Sequence, residues 1–152
     1  MFRGNSKLTV DAKGRLAVPK QHRDRLETDG ITGLMVTADP SHCLLIYPMP
    51  DWLEIETKLM SLPNTDPHVR AMQRLYVGYA TETEFDVNGR ILLPEVLREY
   101  ASIGKKARLL GQGKKFELWG EEAYQANCEQ WPSEINDLDA SERPLAIQQL
   151  SI

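Results

Sequence analysis

"VDAKGRLAVPK" at residues 10–20 and "FDVNGRILLPE" at residues 85–95 carry Asp, Gly, Arg and Pro at identical spacing, 75 residues apart. The correspondence pairs Asp11 with Asp86, Gly14 with Gly89, Arg15 with Arg90, Pro19 with Pro94 and Arg23 with Arg98. Apolar positions follow the same register: Val10 with Phe85, Leu16 with Ile91, Val18 with Leu93. Downstream, after a three-residue deletion, "CLLIYPMPDW" at 43–52 falls over "KFELWGEEAY" at 115–124. Repetition on this scale indicates duplicated modules of about 45 residues. A chain that short buries too little surface to be stable alone, so the copies should pack together or share a core.

Within a module, Leu8 and Val10, then Leu16 and Val18, alternate with polar or small residues, as half-buried strands do. Between them Asp caps a turn through its side chain, and Gly supplies the positive φ that closes it. The Asn-Gly of the second copy is a strong hairpin signal. Pro19 and Pro94 end a strand and open a short helix, since the first helical position has no use for an N–H. Two more strands follow, "GLMVTA" and "CLLIYP" in the first copy, "KARLLG" and "KFELWG" in the second. The expected module is hairpin, short helix, hairpin. Between the modules, Asp51 is the expected N-cap of a helix with Trp52, Ile55 and Leu59 on one face, and Asp66-Pro67 opens another. A last helix is expected over residues 121–131, ended by Pro132. The predicted organisation is a first module at 5–52, a helical linker at 53–80, a second module at 81–124, and a helix end with an acidic tail at 125–152.

These motifs, with the opening "MFRG" and the stretch "GQGKKFELW", resemble the MraZ family of bacterial transcriptional regulators, associated with the division and cell-wall gene cluster. The resemblance covers about residues 1–125, and each half is similar to an AbrB-like swapped-hairpin DNA-binding module. It implies a β-rich α+β fold, ring-like homo-oligomers, and binding to short direct repeats in the promoter of the protein's own gene cluster, with repression as the expected outcome.

Charge separates the two copies. Net charge is −4, yet residues 1–25 hold seven bases against two acids, and residues 121–152 hold seven acids against one base. Such a split points to a basic binding face and an acidic tail. Arg3, Lys7, Lys13 and Lys20 are read as phosphate contacts, which position a protein on DNA without reading sequence. Arg15, on the turn, either reads guanine through a bidentate pair or pairs with Asp11; both roles are compatible if Asp11 aims the guanidinium. Asp11, Gly14, Asp86, Gly89 and Arg90 are assigned to holding the turns. The second turn has Glu82, Glu84, Glu95 and Glu99 near it in sequence, so the first copy is expected to meet DNA and the second to complete the fold and assembly.

No other chemistry is expected. His22, His42 and His68 lack zinc-ligand spacing, and His22 and His42 are expected at surface positions. "GQGKK" at 111–115 lacks the spacing of a phosphate-binding loop, and no Ser or Cys has a nucleophile context. Cys43 and Cys128 are read as free thiols. The expected partners are therefore double-stranded DNA and further copies of the chain, with no cofactor, metal, membrane or small-molecule substrate, in a cytoplasmic, nucleoid-associated setting. The competing expectation is an oligomeric protein-interaction or antitoxin-like module.

Overall fold

The computed structural model describes residues 1–150. The chain runs β1 (Asn5–Thr9), β2 (Arg15–Ala17), α1 (Lys20–Thr28), β3 (Gly33–Ala38), β4 (Leu44–Pro48), α2 (Met49–Met60) and α3 (Pro67–Met72), which continues as a π-helical turn (Gln73–Val77). It then forms β5 (Thr81–Glu84), β6 (Arg90–Leu92), α4 (Glu95–Tyr100), β7 (Lys106–Gln112), β8 (Lys115–Gly120), α5 (Glu121–Cys128), α6 (Gln130–Asn136), a 3-10 turn (Ala140–Glu142) and α7 (Leu145–Gln148). The fold is α+β.

The strands correspond to the sequence pattern, but the first hairpin of each copy does not close on itself. A single bridge, Val10 to Leu16, joins the two sides of the first turn. Beyond it the strands part: β1 pairs with β7, β5 pairs with β3, and β2 pairs with β6. Every one of these ladders is antiparallel and joins one sequence copy to the other. The expected local pairing is corrected here because period-2 alternation states which side chains face inward, not which strand lies alongside.

The result has an approximate two-fold axis. The six-stranded sheet reads β1-β7-β8-β4-β3-β5, so equivalent strands lie at mirrored places in the order. At its centre Leu45 pairs with Glu117, the same two residues that the repeat aligns. In the two-stranded ribbon, Leu16 pairs with its own repeat partner Ile91. Both are fully buried, and they enter a single core with Leu26, Leu34, Val36 and Ile46 from one copy and Leu93, Leu97, Leu109, Phe116 and Leu118 from the other. Each such apolar side chain contributes roughly 1.5–3 kcal/mol by leaving water. Neither copy could keep that contribution alone.

Helix ends differ from expectation in two places. α2 starts at Met49 with Pro48 as N-cap, so Asp51 lies in the first turn, where a carboxylate favours the positive helix end. The last helix breaks after Cys128, and Pro132 sits in the first turn of α6, where its missing N–H costs no bond. Asp66 does cap α3, accepting from the His68 N–H at 2.7 Å. His22 is also corrected. It is buried, 5.8 Å from the Phe2 ring and 4.8 Å from the Phe116 ring, because with Leu26 it forms the inward face of α1. His42 is exposed in the β3–β4 turn, stacked on Tyr100 of α4.

Candidate nucleic-acid interface

The two turns are built alike. Asp11 Oδ1 accepts the backbone N–H groups of Lys13 at 3.0 Å and Arg15 at 2.8 Å, while Oδ2 accepts Arg15 Nε at 2.7 Å. Asp86 does the same with Asn88, Arg90 and Arg90 Nε at 2.9, 2.9 and 2.8 Å. In each turn the arginine's own backbone N–H is the chief cause holding the carboxyl below its ordinary 3.8. Gly14 and Gly89, at φ +85° and +73°, donate back to the Asp carbonyls at 3.0 Å. A carboxylate that satisfies two main-chain donors and one guanidinium N–H makes a stiff turn.

Each turn is then clasped by the opposite copy. Arg98 of α4 donates to the Leu93 carbonyl at 3.1 Å, and its guanidinium lies where a Cβ on Gly14 would have to go. Arg23 of α1 does the same with the Val18 carbonyl, at 2.9 Å, and Gly89. Arg23 and Arg98 thus serve packing. The first turn therefore abuts α4, and the second abuts α1.

This exchange rearranges the charges. Glu95 and Glu99, next to the second turn in sequence, belong to the helix that covers the first turn. Lys20 belongs to the helix covering the second, where it pairs with Asp24 at 2.6 Å in an exposed ion pair of little energetic weight. Lys105 adjoins the chain entering the first turn, while Lys106 faces away from the core on the same side of the sheet as Lys7 and Arg108. The Val10 N–H donates to the Lys105 carbonyl at 2.8 Å, and Lys106 is opposite Thr9. Lys105 lies far along the chain from the turn it adjoins, so only strand exchange reveals the association. The second turn faces Glu27 and Glu84 across a cleft.

Of the five residues predicted to touch DNA, Lys13 and Arg15 stand together on the first turn, and both face solvent in part or fully. Lys20 is at the far end of the ribbon. Arg3 is exposed ahead of β1, beside Gln21 and Arg25. Lys7 lies on the other face of the six-stranded sheet. Its neighbour Leu8 packs on the core, whereas Asn5, two residues earlier, donates to the Tyr124 hydroxyl of α5 at 2.8 Å. Lys7 helps lower the Glu121 carboxyl, which is held chiefly by hydrogen bonds from Arg108. The five predicted contacts are thus spread over two faces, and only Lys13 and Arg15 meet at the first turn.

Arg15 and Arg90 point from the outer face of the ribbon, opposite the buried Leu16 and Ile91. They are equivalent in sequence but not in surroundings. Arg90 reaches beyond Asp86, bringing a terminal nitrogen 3.9 Å from Asp11. The terminal nitrogens of both arginines have no hydrogen-bond partner among the described residues, so the two differ only in that approach of Arg90 to Asp11. No group of three His, Cys, Asp or Glu side chains able to hold a metal occurs among the described residues. No helix among the described residues is long and apolar enough to cross a membrane. Cys43 and Cys128 are free thiols, and burial raises that of Cys43.

Two intertwined strand–turn–strand units, with matched Asp-held arginine turns on one two-stranded ribbon, define a duplicated swapped-hairpin protein. A family model described as "MraZ protein, putative antitoxin-like" matches residues 1–75 and 77–146, and the chain belongs to the MraZ family. A relative from Thioalkalivibrio sulfidiphilus is 48% identical over 147 residues, covering 97% of this chain and 96% of its own. One from Shewanella woodyi is 49% identical over 143 residues, covering 93% and 94%. One from Hydrogenovibrio crunogenus is 54% identical over 127 residues, covering 83% and 84%. All three are named "Transcriptional regulator MraZ".

Proposed function

We propose that this chain is a transcriptional regulator that binds double-stranded DNA through its first turn and represses its own gene cluster. The reading is carried by Arg15, a guanidinium aimed by Asp11 through Nε alone, with its two terminal nitrogens left for a ligand. That is the geometry a bidentate pair with guanine O6 and N7 needs. Lys13 and Lys105 supply phosphate contacts around it, and a two-stranded ribbon is an element that the major groove admits. The names carried by the relatives support the regulatory half of this reading. One turn contacts few bases, so assembly of several copies on spaced direct repeats would supply affinity through multivalency. Such an assembly would act at the nucleoid, without cofactor or catalysis.

The test is a gel-shift titration against DNA upstream of its own gene cluster, repeated over a range of salt. A specific complex that weakens steeply with salt is expected. In Arg15→Lys, specificity should fall while general affinity persists, because lysine lacks the planar fork. Salt-independent or absent binding would overturn this reading in favour of an interaction module.

A further inference from the structure

The ribbon's outer face is shared between the two copies, and its two ends differ. The cross-strand partner of Arg15 is Leu92; the partner of Arg90 is Ala17. Repeat equivalence sets Leu92 over Ala17, so of the two arginines only Arg15 is given a large apolar neighbour. Leu92 is 53% exposed. The Leu93 N–H donates to the Gly14 carbonyl at 2.8 Å, which makes Arg15 and Leu92 a non-hydrogen-bonded pair of the ladder. In such pairs the side chains stand closest, with Cβ atoms about 4.5–5.5 Å apart.

A leucine held beside a guanine-reading arginine, at an end that carries Lys13 and Lys105 along with Glu95 and Glu99 of α4, has a partner in DNA through the Arg15 contact. The major groove displays one apolar group, the C5-methyl of thymine, and apolar side chains read it by contact. Building on the DNA-binding reading above, we propose that Leu92 is a specificity-determining residue that packs against a thymine methyl at the base step beside the guanine contacted by Arg15. The second copy then contributes to sequence recognition through the residue it places next to the first turn. Lys13 and the unpartnered tip of Arg15 beside Leu92 favour nucleic acid as the occupant.

The test uses a duplex enriched by the full-length protein from a randomised library, synthesised with thymine or with uracil, which lacks only the methyl. Replacing the thymine next to the conserved guanine should weaken binding about fourfold, the value of one buried methyl group. Leu92→Ala should bind the thymine and uracil duplexes equally, with an unchanged salt slope and an unchanged melting temperature. Equal affinity of the wild-type protein for both duplexes overturns this inference alone. So does a Leu92→Ala variant that keeps the thymine preference but changes assembly mass in sedimentation, which would assign Leu92 to a subunit seam. Failure to enrich any duplex overturns the DNA-binding reading and this inference with it.

Discussion

Gly14→Ala tests whether the two copies lock one another. Gly14 sits at φ +85°, and an added Cβ would approach Arg98 Nε at 2.6 Å and Cζ at 2.7 Å. Two costs follow. Left-handed backbone strain in a residue with a Cβ amounts to about 1–2 kcal/mol. Displacing the Arg98 guanidinium also breaks its bond to the Leu93 carbonyl, and bonds from charged donors contribute about 1.5–3 kcal/mol. Together these predict a loss of roughly 3–4 kcal/mol, or about 10 °C in melting temperature for a chain of this size. Gly30→Ala isolates the first cost, since Gly30 has φ +70° with nothing within 4 Å of an added Cβ. It should lose only about 1–2 kcal/mol. The decisive assay is a double-mutant cycle by urea unfolding at fixed protein concentration. In an Arg98→Ala background, Gly14→Ala should cost no more than the Gly30 control. If Gly14→Ala costs the same with and without Arg98, to within about 0.5 kcal/mol, then Arg98 is not clasping the turn.

Two pH effects accompany this. Asp11 and Asp86 are held below their ordinary 3.8, so their contribution is present above that value and is lost as pH falls through the lowered ones. Urea midpoints should drop as pH falls through and below 3.8, and the Asp11→Asn, Asp86→Asn double variant should show a shallower drop. Burial lowers His22 from its ordinary 6.5. The unfolded chain then takes up a proton that the folded chain refuses, so stability should decline as pH falls below about 6.5. His22→Phe, which keeps an aromatic ring beside Phe2 and Phe116, should remove that slope; an unchanged slope would place the titration elsewhere.

Much of this molecule is legible in its sequence where the physics is local. The Asp-x-x-Gly-Arg turns follow from side-chain capping and a positive-φ glycine, and both occur where the repeat puts them. Leu16 and Ile91 could be read as inward-facing from alternation alone. What alternation could not disclose is that each is the other's partner. From that hidden pairing come the misplacements: Glu95 and Glu99 guard the first turn rather than the second, and Lys105 joins it from far along the chain. The outward direction of Lys7 was implicit in its alternation with Leu8. That the ribbon would lie on the other side of the sheet depended on long-range packing. The burial of His22 did have a local signal, its i, i+4 spacing to Leu26, which its polarity masked.

The assignment of DNA to one turn is tested most directly by paired charge introductions at equivalent places, Lys13→Glu on the first turn and Asn88→Glu on the second. Each variant is titrated against the enriched duplex at several salt concentrations. Lys13→Glu should weaken binding about a hundredfold and flatten the salt slope by about 1 for the lost phosphate contact. Asn88→Glu should stay within about threefold of the parent, because on this assignment the second turn makes no phosphate contact. Equal losses from the two variants would contradict the assignment.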